Sequence, residues 1–234
     1  MKYLLYFIGF VPSILWLLFY LRKDAHPESN KMVLKVFLLG MVSGLFAIVF
    51  EKGFQKTQNI FLASLAYTSA FSIFIGGAFI EEIVKYASAK FGTYRNAELD
   101  EPVDFILYMI ISALGFAALE NILVLTNYHP ILNSTKVLEL MLWRFASATF
   151  LHALCSGIFG YFLALSFFYG KKRKLYFLYG LTSCTILHGL YNFSIIRVEG
   201  LNKFIVPLII LGGATIFLSF GFKKLKKIKS ICYL

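Results

Sequence analysis

The sequence predicts an all-α fold: a polytopic transmembrane helix bundle of about seven spans, with the N-terminus outside and the C-terminus cytoplasmic. Three observations predict it. Of 234 residues, 59% are hydrophobic and only 15% charged, with mean hydropathy +0.74, which is outside the balance of a soluble globular domain. Apolar runs of roughly 20 residues, enough for a helix to cross a bilayer, recur from end to end between short polar breaks. Lysine and arginine gather in alternate breaks, the asymmetry that orients spans.

The first run, 3–21, contains Pro12 and Ser13 and ends in Leu21-Arg22-Lys23-Asp24. It has no small-residue cleavage site, so it reads as a retained span and not as a removed signal peptide. The second, 32–50, carries Gly40-Met41-Val42-Ser43-Gly44, a spacing that lets two helix backbones approach, within one chain or between two. The third, 60–89, is too long for a perpendicular span, since about thirty residues at about 1.5 Å each reach roughly 45 Å. Gly76-Gly77 interrupts it, so a tilt, kink or break is expected there. The remaining windows are 103–126, 140–169, 175–196 and 204–222. Residues 1–222 therefore form one membrane domain, and 223–234 a short basic cytoplasmic tail.

The cytoplasmic breaks carry Arg22, Lys23, Lys31 and Lys35; then Lys90 and Arg95; then 171–174; then Lys223, Lys224, Lys226, Lys227 and Lys229. The opposite breaks hold only scattered positives such as Lys52, Lys56, Lys136, Arg197 and Lys203. The net charge of +11 is thus read as a topology signal, headgroup contact being the second reading for the Lys-rich tail after Phe222 alone, and no nucleic-acid partner is expected. Cys155, Cys184 and Cys232 form no CxxC pair and imply neither a disulfide framework nor a zinc knuckle.

Ionisable groups near a bilayer centre cost about 3 kcal/mol each on insertion scales, so they line cavities, pair with each other or perform chemistry. Four places in this chain hold them. Glu81 and Lys85 are one turn apart on one helix face, while Glu82 points about 100° away. Glu120 and Asn121 lie deep in the fourth window with no basic neighbour in sequence, so Glu120 needs a partner from another helix. His152 is mid-way along the fifth window, and His188 and Asn192 share a face of the sixth. The plain structural alternatives are that Glu81 and Glu82 cap a span and pair with Lys85, and that each histidine is an ordinary core residue. Two His and three Glu over four consecutive spans, however, can converge on one pocket. HExxH, GxSxG and Walker-type loops are absent, Cys155 reads as a buried thiol, and His26 and His129 sit in loops without evident partners.

In order and spacing, Glu81-Glu82-x-x-Lys85, Gly115-Phe116-x-x-x-Glu120-Asn121, His152 and His188-Gly189-x-Tyr191-Asn192-Phe193 resemble the PrsW family of intramembrane proteases. Pro12-Ser13 and the acidic, proline-bearing loop through Glu28 resemble that family's opening, so the resemblance covers nearly the whole chain. PrsW proteins are similar to type II CAAX prenyl endopeptidases, which have His where this chain has Glu120, and to the membrane scaffold subunit of γ-secretase. Many PrsW sequences have Asp where this chain has Asn192, which leaves residue 192 open between a charged orienter and a neutral oxyanion donor; the resemblance to the CAAX relatives, whose corresponding Asn is such a donor, favours the second.

The resemblance implies a multi-pass cell-membrane endopeptidase that makes the first cut in a membrane-anchored anti-sigma factor. The expected catalytic residues are Glu81, Glu82, His152, His188 and Asn192, supported by Lys85, Glu120 and Asn121. Glu81 or Glu82 would activate water, His188 and Asn192 would bind the oxyanion, His152 would position water or shuttle a proton, and Lys85 would orient the carboxylates. The cofactor stays open: one zinc ion held by His152, His188 and either Glu120 or Glu82 is the alternative chemistry. Two other classes stand beside the protease. They are a proton- or ion-coupled transporter, against which the missing inverted repeats count, and a non-catalytic membrane scaffold of the same fold.

Overall fold

A computed structural model describes residues 2–24, 26–61, 69–93, 96, 98–128 and 134–228, which are helical throughout their ordered elements and contain no strand. The helices are α1 (Lys2–Leu21), α2 (Asn30–Phe61), α3 (Ile80–Thr93), α4 (Pro102–Tyr128), α5 (Ser134–Ala146), α6 (Ala148–Phe168), α7 (Arg173–Arg197) and α8 (Asn202–Leu225). Part of the third predicted window, Arg95, His129, Lys229, Cys232 and the end of the basic tail lie outside the described residues.

α4 is the hub, packed against α1, α2, α3 and α6. Its sequence has no charge between Asp104 and Glu120, so it is apolar all round and can be buried on every side. Ile106, Leu107, Ile110, Leu114 and Ala117 are accordingly shut off completely. Outward-facing side chains of α2 and α8, among them Leu34, Val49, Leu208 and Phe220, are apolar and exposed, as a lipid-facing surface requires. Four stretches are long and apolar enough to cross a membrane among the described residues: Asn30–Asn59, Pro102–Asn127, Thr135–Phe168 and Asn202–Leu225. Phe7–Leu21 is a shorter apolar helix.

The small-residue spacing of α2 is used inside the chain. A Cβ on Gly40 would stand 2.1 Å from the carbonyl oxygen of Ser112 in α4, and one on Gly115 would stand 2.0 Å from that of Phe37 in α2. The backbones of α2 and α4 therefore touch at both glycines. Gly115→Val is expected to force them apart and destabilise the fold by at least the 1–3 kcal/mol typical of overpacking. Thermal unfolding in detergent checks this against Gly53→Ala, whose Cβ meets nothing within 4 Å.

Three elements differ from the hydropathy windows. α2 runs on to Phe61, because Glu51, Lys52 and Lys56 continue the helix where their charge suggested a loop. The fifth window is bent at Ser147 (φ −127°, ψ −84°), which separates α5 from α6 while the chain continues through Thr135–Phe168. The interruption expected at Gly76-Gly77 is not a break but a π-helical stretch, Ser72–Phe79, that passes directly into α3.

On the side of the basic loops, Asp104 accepts from the backbone N–H groups of Asp100 (3.0 Å) and Glu101 (2.6 Å), fixing the start of α4. Tyr108 donates to Glu28 at 2.5 Å, and burial, reinforced by the Asp104 and Asp24 charges, pushes the Glu28 carboxyl up to about 8.

Candidate functional site

π-helical turns carry one extra residue per hydrogen-bonded ring and recur at functional sites. Here the glycines around that turn admit close neighbours. A Cβ on Gly76 would lie 2.5 Å from the Phe54 ring of α2, and one on Gly189 of α7 would lie 2.5 Å from the Phe74 ring. The turn is thus clamped between α2 and α7, and it delivers Glu81 and Glu82 into the bundle at the first turn of α3.

Lys85 is wholly enclosed, and its ammonium donates to Glu82 Oε1 at 2.9 Å and Glu81 Oε2 at 3.1 Å. It also stands 2.8 Å from His152 Nδ1 and 4.4 Å from the Phe116 ring centre. Because an ammonium has no acceptor, His152 Nδ1 must accept, so its proton is on Nε2 and is donated to Glu120 Oε2 at 2.9 Å. Glu120 in turn pairs with Arg144 of α5 at 2.9 Å. Arg144 also donates to Asn121, whose amide donates to Thr149 at 3.2 Å.

Glu82 is equally enclosed and has three donors: Lys85, Ser156 Oγ at 3.0 Å and the Nδ1–H of His188 at 2.9 Å. That last bond leaves His188 Nε2 with a lone pair, 3.8 Å from Glu81 Oε2. His152 Nδ1 is also 3.8 Å from that oxygen, and the two imidazoles meet edge to face with centres 5.1 Å apart. Three acceptor atoms, one each from Glu81, His152 and His188, therefore gather within 4.8 Å of one another. The Lys85 ammonium already serves two of them, Glu81 and His152, which leaves the His188 Nε2 lone pair to a water proton or a cation.

Glu81 differs from Glu82 in reach. It alone of the pair borders a cavity of about 130 Å³, which Glu51, Ser72, Gly77 and Asn192 also line. That space has room for several waters. Asn192 makes no hydrogen bond among the described residues, so its amide is free to donate into the cavity.

The residues singled out from sequence are in this network, except Asn192, which borders the cavity without joining it, but they are not in the arrangement expected. The carboxylate that converges with the two histidines is Glu81. Glu82 and Glu120, the expected zinc partners, instead hold the opposite ring nitrogens of His188 and His152 and so fix their orientation. Glu81 and Glu82 do not cap a span end either, since α3 continues to Thr93 beyond them. Asn121 is remote from the acceptor cluster and braces Arg144. Glu51, Arg144 and Ser156 were not expected. Arg144 had a signal: it is the one basic residue in window 140–169.

A sequence model described as "PrsW family intramembrane metalloprotease" matches residues 28–219. The chain belongs to the PrsW family. It is 31% identical to Protease PrsW of Geobacillus kaustophilus over 192 residues, covering 82% of this chain and 79% of that protein. Identity to Protease PrsW of Bacillus subtilis is 30% over 226 residues, 95% and 94% of the two chains. Protease PrsW of Clostridioides difficile is 26% identical over 198 residues, 82% and 79%. No solved structure matches. Membership in PrsW, with the apolar helices above, makes this an intramembrane protease.

Proposed function

We propose that this PrsW chain is a seven-span, cell-membrane endopeptidase, N-terminus outside, that cuts a membrane-anchored protein on the extracytoplasmic side. The carrying observation is the acceptor cluster of Glu81, His152 and His188 beside a cavity. Orientation follows from charge: the loops before α2 and α7 are basic, so the far ends of these helices, where Glu51, Asn192 and Ile196 line the cavity, face outside. The resemblance to the family points to an anti-sigma factor as substrate.

Hydrolysis needs a base, oxyanion donors and a proton for the leaving amine. Glu81 takes a proton from water as the water oxygen bonds to the scissile carbonyl carbon. His188 Nε2, held by Glu82, accepts the other proton of that water and orients it, while His152 Nδ1, held by Glu120, accepts from Lys85 and fixes the ammonium beside Glu81. The Asn192 amide faces the developing oxyanion, and the Lys85 ammonium, its three N–H bonds directed to Glu81, Glu82 and His152, stands behind as a fixed positive charge. Glu81 then returns its proton to the nitrogen as the C–N bond breaks.

The donor set also fits zinc where Lys85 yields the His152 Nδ1 lone pair, since two imidazole nitrogens and a carboxylate are a known catalytic ligand set and both rings have carboxylate partners behind them. Glu81, His152 and His188 would hold it, and once bound it would polarise the carbonyl and make water acidic enough to ionise near neutral pH.

The test is zinc content of the purified protein together with cleavage of a single-span test substrate, with and without chelator. Glu81-dependent cleavage is expected. If it survives chelation in metal-free protein, the carboxylate is the base; if it follows stoichiometric zinc, the same three residues are ligands. No cleavage in either state would reject the protease reading in favour of a transporter or scaffold.

A further inference from the structure

A second, larger cavity of about 830 Å³ opens between α3, α4, α6 and α7, at the end of the bundle that carries the basic loops. It lies within the roughly 300–1,000 Å³ of ligand sites. Its walls are apolar, including Ala89, Phe105, Met109, Leu163 and Phe177, and three cations, Lys90, Arg173 and Lys174, stand around it. All three cations are exposed, and none has a carboxylate partner among the described residues. α7 moreover begins with basic and no acidic residues in its first turn and no side-chain cap, so its positive dipole end adds to the cations instead of offsetting them.

An apolar chamber rimmed by unpaired positive charge is complementary to a molecule with hydrocarbon chains and an anionic head. We infer that this cavity is a binding site for an anionic phospholipid of the cytoplasmic leaflet, its phosphate on Lys90, Arg173 and Lys174 and an acyl chain along Phe105, Met109 and Leu163. The assignment of leaflet rests on the orientation proposed above, but the binding itself is read without any cleavage assay. Tyr86 connects the cavity to the site. It lines the cavity next to Lys85 in sequence, and its ring packs 5.2 Å from those of Phe159 and Phe177. An occupied cavity therefore supports α3 one residue from the Lys85 network.

The full chain, delipidated in neutral detergent, would be offered equal amounts of phosphatidylglycerol and phosphatidylcholine of the same chain length, and retained lipid measured by native mass spectrometry. Each basic residue near a headgroup contributes on the order of fivefold in affinity, so phosphatidylglycerol should be preferred by at least tenfold. Combined Lys90→Gln, Arg173→Gln and Lys174→Gln should bring the preference close to one. Combined Lys223→Gln, Lys226→Gln and Lys227→Gln, in the tail, should leave it intact. Ala89→Trp, which fills the chamber, should lower retention of both lipids. A preference that survives the first triple variant, or that the tail variant also removes, overturns the assignment. So does retention of a single-span substrate helix that Ala89→Trp abolishes and neither lipid displaces, which would give the cavity to substrate.

Discussion

Glu81→Gln is expected to lower cleavage of a single-span substrate by roughly 10²–10⁴-fold or more, the range a positioned base contributes, while leaving the protein folded. Gln keeps the shape of Glu but cannot accept the proton of water, nor complete a cluster of acceptors with His152 and His188. Its structural cost is small, because Glu81 makes a single hydrogen bond, to Lys85, and borders the cavity. Glu82→Gln is the necessary contrast. Glu82 accepts from Lys85, Ser156 and His188 in full enclosure, so the neutral amide loses charge-assisted bonds and must point an N–H₂ group at one of those donors. That variant should lose stability and cleavage together. The two are read by cleavage in proteoliposomes alongside thermal unfolding in detergent. Retained cleavage in Glu81→Gln, or loss of cleavage in Glu82→Gln at unchanged stability, would exchange the roles of the two carboxylates.

Much of this separation was beyond the sequence, for a geometric reason. Periodicity alone puts Glu81 and Glu82 about 100° apart and Glu81 on the face of Lys85, which is correct. In the fold Lys85 bridges both carboxylates, because an i,i+3 pair is also within reach. The π-helical turn before α3 shifts the register by which the two glutamates enter the bundle, and no hydropathy window reports that. The long apolar helices were legible because their runs are little interrupted by charge, and four such stretches among the described residues are long enough to cross a membrane. The exceptions are instructive: charge at Glu51 and Lys52 breaks the apolar run and suggests a loop, yet α2 continues and Glu51 lines the cavity beside Glu81. Charge inside a span is at once the mark of function and the thing that hides the span. Glu120 was rightly expected to need a partner from another helix, and Arg144 on α5 supplies it across the bend at Ser147.

Lys85→Met is expected to destabilise the protein more than any other single change at the site, by about 3–5 kcal/mol, the cost of removing one partner from a buried ion pair. The methionine fills a similar volume, but Glu82, Glu81 and His152 Nδ1 would then face one another with no cation between them. Lys85→Arg is no substitute, since a planar guanidinium cannot place one small charge among three acceptors in a closed space. Thermal unfolding in detergent reads the effect, and a second variant separates charge from packing. Adding Glu82→Gln to Lys85→Met should recover part of the loss, because two residues in one network are coupled by 0.5–3 kcal/mol. Purely additive losses would mean that Lys85 acts through packing and would remove the counter-ion argument. Zinc supplies a sharper comparison. If the acceptor cluster is a cation site that the ammonium fills, zinc should stabilise Lys85→Met more than the wild type, by up to about 2.7 kcal/mol at a hundredfold excess over its dissociation constant. Equal stabilisation of both would place zinc beside the ammonium, not in its stead. No stabilisation of either would leave Glu81 as the base and Lys85 as the permanent positive charge beside it.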